Sequence, residues 1–333
     1  MNNHADGPVR VGVAGATGYT GMELLRLLAR HPGAALSAAM GSPGAPARRV
    51  PALARVWDAP VDGLDLDALA AQSDAVFLAL PDEAAGEIAP VLVARGKRVF
   101  DLSGAFRLRD AAARRRWYPR VADSAQPVVY GLTERYRERL RESSLVACAG
   151  CYPTAAILAL QPLVQNGLVS GPIIIDAKSG VSGAGKTPTE RTHFSECHGS
   201  LSAYGVFDHR HAAEIEQELG VQVTFVPHLL PIDRGIFETI YATLPAGVDD
   251  TAVASAYHAA YDAAPFVRLT GSELPEIKHV AHTNFCDIGW KLNVERRQIV
   301  IVSCIDNLVK GAAGQAVQNF NVAFGFDERL GLH

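Results

Sequence analysis

Apolar and polar positions in the first third of the chain follow two rhythms. Continuous apolar runs at 9–14, 34–40, 74–80 and 97–102 predict buried strands. Between the first two, residues 21–30 place Met22, Leu24, Leu25, Leu27 and Leu28 on a helical stripe that stops at His31-Pro32-Gly33, and 84–95 reads as another helix. This β-α-β alternation predicts a parallel sheet covered by helices on both faces. A further apolar strand ends at Cys148, and a helix follows from about Pro153 to Gln165. After Thr154 the rhythm changes. Strands at 172–177, 221–226, 235–244, 285–293 and 298–306, with helices at 212–219 and 250–263, predict a mixed or antiparallel sheet with helices on one face. The expected organisation is an α/β domain over 1–150 and an α+β domain over 151–311. A last helix within 312–333 is expected to return to the first domain.

Bulk properties narrow the role. A chain of 333 residues with 48% hydrophobic and 20% charged residues has room for two packed cores. A net charge of −4 offers no general attraction to nucleic acid or a membrane surface. The basic cluster Arg114-Arg115-Arg116 reads as a solvated helix end. Residues 1–8 are polar and lack the apolar core of a secretion signal, and no run approaches the ~18 apolar residues of a membrane span. Five scattered cysteines do not form a disulfide framework, so a cytoplasmic location is expected.

The first strand leads into Gly12-Val13-Ala14-Gly15-Ala16-Thr17-Gly18-Tyr19-Thr20-Gly21. Glycines let the backbone approach a pyrophosphate, and the helix that follows aims its N-terminus at the charge. At the start of a βαβ unit this is a dinucleotide-binding loop, the signature of a Rossmann domain. The second strand ends at Met40-Gly41-Ser42 without a carboxylate for a ribose 2′-hydroxyl, while Ser42, Arg48 and Arg49 follow. Hydroxyl and guanidinium groups suit a 2′-phosphate, so NADP is the expected cofactor.

Cys151 stands in Cys148-Ala149-Gly150-Cys151-Tyr152-Pro153-Thr154, on a strand-to-helix turn. Free N–H groups and the dipole at a helix N-terminus favour thiolate over thiol. Three readings compete: a nucleophile, half of a redox or metal pair with Cys148, or a structural cysteine. The nucleophile accounts best for the nucleotide loop, and Cys197-His198 is a poor chelating pair, so no metal is expected. A cysteine nucleophile needs a proton partner. His209 and His211, just before a helix beginning near Ala212, are the candidates, since a helix N-terminus disfavours the cationic imidazole. Capping the helix is their alternative role. His228, between Pro227 and Pro231, reads as structural, and the long loop 179–202 with His193 and His198 is a candidate functional loop.

Several segments together resemble the N-acetyl-γ-glutamyl-phosphate reductase family, from Val11 to about Asn321. They are the loop 15–21, Asp101-Leu102-Ser103-Gly104-Ala105-Phe106-Arg107-Leu108, the turn 150–154, Ser179-Gly180-Val181-Ser182-Gly183-Ala184-Gly185, His209-Arg210-His211, Pro227-His228-Leu229, and the run from Asn307 to Ala316. The resemblance implies an NADP-linked Rossmann domain and a glyceraldehyde-3-phosphate-dehydrogenase-like catalytic domain that also mediates assembly into a homodimer or homotetramer. It implies Cys151 as nucleophile with His211 and His209 beside it, and Arg107, Ser182 and Gly183 as substrate contacts for a small acyl phosphate. It implies Gly15, Thr17, Gly18, Tyr19, Thr20, Gly21, Ser42, Leu80, Pro81, Ser103, Asn307 and Gly311 as cofactor contacts. The sequence departs from the family in carrying Cys148-Ala149 where Asn-Pro is common, and Asp82 where His is common; a carboxylate there would repel a cofactor phosphate unless turned away. Aspartate-semialdehyde dehydrogenase, a reductase of a carrier-bound aminoadipyl phosphate, and a non-catalytic dinucleotide sensor are the alternatives.

Overall fold

Strands buried on both faces must be covered on both faces, and the first sheet obeys this rule. In the computed structural model, which describes residues 7–332, it is built from β1 (Val9–Ala14), β2 (Ala34–Met40), β3 (Ala75–Leu78), β4 (Arg98–Asp101), β5 (Val128–Gly131) and β6 (Leu145–Cys148). The order is β2-β1-β3-β4-β6-β5 and every pairing is parallel. From β1 the chain moves outward to β2, then returns to β3 on the other side of β1. That reversal opens a crevice at the carboxyl ends of β1 and β3, where open α/β sheets bind ligands. The polar stretch at the chain start lies, through residue 6, outside the described residues.

Two compact units make up the chain: the residues up to Ala149 with those from Ala312 onward, and Gly150–Gly311. Helix Gly314–Phe324 belongs to the first unit and is buried almost all round. Its Phe320 ring meets Phe77 and Phe100 at 5.8 and 5.9 Å. Its buried polar side chains find specific partners, as burial requires. Asn319 Nδ2 donates to Gly131 O (2.9 Å), Asn319 Oδ1 accepts from Thr133 Oγ1 (2.7 Å), and Asn321 Oδ1 lies 2.7 Å from His31 Nε2.

The second unit holds a mixed seven-stranded sheet: β7 (Ser170–Gly180), β8 (Ser202–Ala203), β9 (Thr224–Leu230), β10 (Ile236–Thr243), β11 (Val267–Gly271), β12 (Cys286–Asn293) and β13 (Gln298–Ile305). The order is β11-β12-β13-β10-β7-β9-β8. Along β10, Ile236, Glu238, Ile240 and Ala242 are buried and alternate with more exposed residues, so one face is covered and the other open. Helix Cys151–Gln165 packs on the covered face. Ser303 Oγ on β13 donates to Ala155 O (3.1 Å), while Tyr257 and Tyr261 of helix Asp250–Tyr261 donate to Ala159 O and Leu158 O (both 2.6 Å).

Two strand boundaries differ from expectation. The strand expected at 221–226 runs instead over Thr224–Leu230, with Pro227 and His228 inside it. Proline is tolerated there because β9 is nearly an edge: only the two-residue β8 pairs with its outer side. The strand expected at 172–177 extends over the whole of β7. The short elements β5, β11 and helix Thr133–Arg141 have too few periodic positions to stand out in the sequence.

Candidate active site

The glycine loop of the first unit fits a dinucleotide phosphate. Gly15 has φ +84°, and a Cβ there would collide with the carbonyl of Ala79; a Cβ on Gly21 would collide with the carbonyl of Gly15. The loop is pinned by Gly15 N and Ala16 N donating to Met40 O (2.8 and 2.9 Å) and Gly18 N donating to Gly15 O (3.1 Å). Helix Tyr19–Leu28 starts at Gly18 with no side-chain cap and no acid in its first turn. Its first N–H groups therefore point outward as an uncapped anion site, to which Tyr19, Thr20 and Gly21 belong. Ser42, Arg48 and Arg49 are exposed beyond the end of β2. The fold also brings in a group that local sequence could not announce: the backbone of Asp62 bridges to Met40, so a carboxylate does stand beside that strand end.

The β3 and β4 ends carry the next group. Leu80 and Pro81 lie between β3 and helix Asp82–Ala94. Asp82 Oδ1 accepts from Gly104 N (2.6 Å), which commits the carboxylate to the 103–104 turn. Ser103 Oγ donates to Asp101 Oδ2 (2.8 Å) and accepts from Ala105 N (3.1 Å). Ser103 thus shapes the turn. Burial pushes the Asp101 carboxyl up to about 6, against the Ser103 hydrogen bonds and the Arg107 charge. Arg107 is only 7% exposed; its Nε donates to Cys148 O and its Nη2 to Leu102 O (both 2.8 Å). The guanidinium expected to hold phosphate also ties the ends of β4 and β6 together. Cys148 is buried, and burial with the nearby Asp101 pushes its thiol up to about 12. A thiol that resists ionisation is a poor redox partner at neutral pH.

Cys151 is the first residue of helix Cys151–Gln165, whose N-cap Gly150 provides no side chain. Two long-range features hold this turn. Glu214 Oε1, from helix Arg210–Leu219, accepts from Gly150 N (2.8 Å). Gly311 packs directly on Cys151: a Cβ there would lie 2.8 Å from Cys151 Cβ. Gly311 is thus a space-making residue for the thiol.

His209 is the N-cap of helix Arg210–Leu219, its Nδ1 accepting from His211 N (3.2 Å). A ring nitrogen that accepts a hydrogen bond carries no proton, so the cap fixes His209 as the Nε2–H tautomer. Burial first, then the Arg210 charge, bring its pKa down to about 4. The two imidazoles meet edge to face at 4.8 Å, and both contact the Tyr152 ring. Tyr152 OH lies 3.2 Å from Tyr204 OH, and burial raises the pKa of both phenols. Cys151, His209, His211, Tyr152, Tyr204 and Gly183 line a single cavity of about 430 Å³, together with Ser179, Arg191 and Arg210. Ser182 stands beside Gly183, its Oγ accepting from Asn307 Nδ2 (2.9 Å), while Asn307 Oδ1 accepts from Gly235 N (2.8 Å). His193 and His198 lie outside the lining, and His228 lies 3.3 Å from Asp176.

The second unit therefore gathers Cys151, both histidines and Gly183, with Ser182, Asn307 and Gly311 around them; the first unit carries the glycine loop, Ser42, Leu80, Pro81, Ser103 and Arg107. Glu214, Tyr152, Tyr204 and Arg191 were missed as site residues in the sequence. Each of the first two and the last left a trace there: Glu214 is three residues after His211 and thus on the same helix face, Tyr152 adjoins Cys151, and Arg191 lies in the long loop 179–202. Among the described residues no group of three or more His, Cys, Asp or Glu is placed to hold a metal, and no helix is long and apolar enough to cross a membrane.

Comparison with known proteins extends this picture. Residues 10–143 match the semialdehyde dehydrogenase NAD binding domain, and 151–307 the semialdehyde dehydrogenase dimerisation domain. The chain is 47% identical to the N-acetyl-gamma-glutamyl-phosphate reductase of Pelotomaculum thermopropionicum, covering 97% of each chain. It is 44% identical to that of Desulforapulum autotrophicum, over 97% of this chain and 98% of the relative. Among solved structures it shares the fold of aspartate semialdehyde dehydrogenase II from Vibrio cholerae, with a TM-score of 0.73 at 16% identity over 96% of this chain and 99% of the other. The enzyme from Candida albicans, solved with NADP, gives 0.69 at 15% identity over 95% and 98%. By its nearly full-length similarity to these reductases, the chain belongs to the N-acetyl-γ-glutamyl-phosphate reductase family of semialdehyde dehydrogenases.

Proposed function

We propose that this protein reduces N-acetyl-γ-glutamyl phosphate to N-acetylglutamate semialdehyde and phosphate, a step of arginine biosynthesis, with NADPH as cofactor. The observation that carries the reading is Cys151 at the uncapped N-terminus of its helix, in one cavity with His209 and His211. The dipole and N–H groups of the helix stabilise the thiolate, which attacks the acyl carbon. The carbon–sulfur bond forms as the carbon–oxygen bond to phosphate breaks, leaving a thioester on Cys151. Arg107, braced on the carbonyls of Leu102 and Cys148, is the proposed hold on the phosphate. When bound, the cofactor supplies a hydride to the thioester carbon; Gly15, Gly18 and the helix N-terminus at Tyr19–Gly21 would hold its pyrophosphate. His211 then donates a proton to the developing alkoxide. His209 is the less suited of the two to that donation, because its pKa of about 4 leaves it without the extra proton at neutral pH. Glu214 and Gly311 keep Cys151 in place. Collapse of the thiohemiacetal passes the hydroxyl proton back to His211, breaks the carbon–sulfur bond, releases the aldehyde and returns the thiolate.

NADP over NAD is supported by Ser42, Arg48 and Arg49, with Asp62 the opposing influence. Assembly into a homodimer or homotetramer through the open sheet face is supported by the dimerisation-domain match and by exposed Ile174 and Tyr241 on β7 and β10. A cytoplasmic location follows from the biosynthetic role.

The test is phosphate-dependent formation of NADPH from NADP⁺ with N-acetylglutamate semialdehyde and, separately, aspartate semialdehyde. Turnover with the first, lost by about a thousandfold or more in Cys151→Ser, is the expected result. A preference for aspartate semialdehyde overturns the substrate, and near-native turnover of the serine variant overturns the thioester.

A further inference from the structure

The cavity around Cys151 contains cations that acid–base chemistry at the thiol does not use. Its lining includes Arg191 and Arg210 and no carboxylate. A charge pattern of that kind selects an anion. Arg210 begins the histidine-bearing helix. Arg191 is different: it comes from the long loop, on the short turn Glu190–Thr192.

That turn is locked. Thr189 Oγ1 accepts from Thr192 N (3.3 Å), and Thr192 Oγ1 accepts from Thr189 N (2.9 Å), a reciprocal capping box. The guanidinium of Arg191 lies over the Tyr204 ring, 5.5 Å from its centroid. A cation–π contact of this kind steadies the guanidinium and leaves its N–H groups free for a planar oxyanion. Among the described residues the Arg191 side chain has no hydrogen bond and no ion pair, although Glu190 adjoins it in sequence. A second polar cavity of about 470 Å³ shares Thr189, Arg191 and Leu229 with the first. Glu190 and Glu196 line that second cavity, so a ligand's negative charge is repelled there and stays on the Cys151 side of Arg191.

We infer that Arg191 is a specificity-determining residue that binds the carboxylate of the substrate, the end remote from the reacting acyl carbon. The inference rests on the acyl-phosphate reading above and deepens it. A carboxylate held at Arg191 orients the chain so that the acyl carbon reaches Cys151, and the neutral N-acyl group is left to occupy the second cavity.

The experiment compares N-acetylglutamate semialdehyde with its α-methyl ester, in the wild type, Arg191→Ala and Arg191→Lys. For the free acid, Arg191→Ala should raise KM about tenfold to a hundredfold, the size of a lost charge-assisted hydrogen bond, with kcat much less affected. Arg191→Lys should recover part of the loss, since charge is retained but the planar fork is not. For the ester, wild type and Arg191→Ala should be nearly equal. An unchanged KM for the acid in Arg191→Ala, or equal losses on acid and ester, overturns the proposal. If the wild type oxidises aspartate semialdehyde instead, the substrate reading fails alone; the same comparison on that carboxylate and its ester then decides the role of Arg191.

Discussion

The glycine loop of the first unit and the thiol turn of the second use one local device for opposite ends. Each runs from a buried strand through a glycine N-cap into a helix with no side-chain cap, at Gly18 and at Gly150. In the glycine loop, close backbone packing leaves the first N–H groups of the helix directed at a ligand from outside. At the thiol turn the group that would carry the charge is part of the chain, the sulfur of Cys151, and the N–H of Gly150 is already taken by Glu214. An uncapped helix end can thus recruit a negative charge or create one, according to whether its first residue brings an ionisable atom.

The largest effect that separates the two turns is expected from Gly21→Ala. The added Cβ meets the Gly15 carbonyl and must displace the loop, so NADP affinity should fall at least about tenfold in a fluorescence titration. The rate of Cys151 alkylation by iodoacetamide should not change; if it does, the turns are not independent. Glu214→Ala should do the converse. It leaves the buried N–H of Gly150 without its acceptor, at a cost of about 1–3 kcal/mol in denaturant unfolding, and lowers turnover while nucleotide affinity stays constant. Glu214→Gln, which keeps an acceptor oxygen, should restore most of the stability.

The pH response of His209 is confined to acid conditions. Its folded pKa of about 4 lies below the free value of 6.5, so the fold binds fewer protons than the unfolded chain between these values. Its stabilising contribution is complete above pH 6.5 and declines as pH falls towards 4, by at most roughly 2–3 kcal/mol. Asp101, raised to about 6, acts in the opposite sense, gaining stability as pH falls through that value. His209→Asn keeps an N-cap acceptor and removes the titration, so its unfolding free energy should vary less with pH over 4–6.5. An identical pH profile in wild type and variant excludes this role for His209.

Both turns were legible in the sequence because their chemistry is local. Glycines at short spacing after an apolar strand, and a cysteine before a proline and an apolar helix, need no distant partner to be noticed. What holds them was not legible. Glu214 reaches Gly150 across 64 positions, and Gly311 touches Cys151 from the far end of the second unit. Asp62 reaches Met40 through a bridge that no periodicity marks. The same limit explains β9: a run with prolines looks like a loop until a sheet edge is found where missing N–H groups cost little. Arg107 shows that a residue's type can be read before its partners can, for its resolved hydrogen bonds run to main-chain carbonyls.

The contact of Gly311 with Cys151 has an architectural consequence. Gly150 and Gly311 are the first and last residues of the second unit, and both lie against the same cysteine. The second unit is therefore a closed loop of chain inserted into the first, with its two ends adjacent, the arrangement in which a domain can be added to a host without stretching it. Any attempt to excise this unit, permute it or splice it into another protein would put both cut ends at Cys151. Linkers and tags added there would enter the cavity that Cys151 lines.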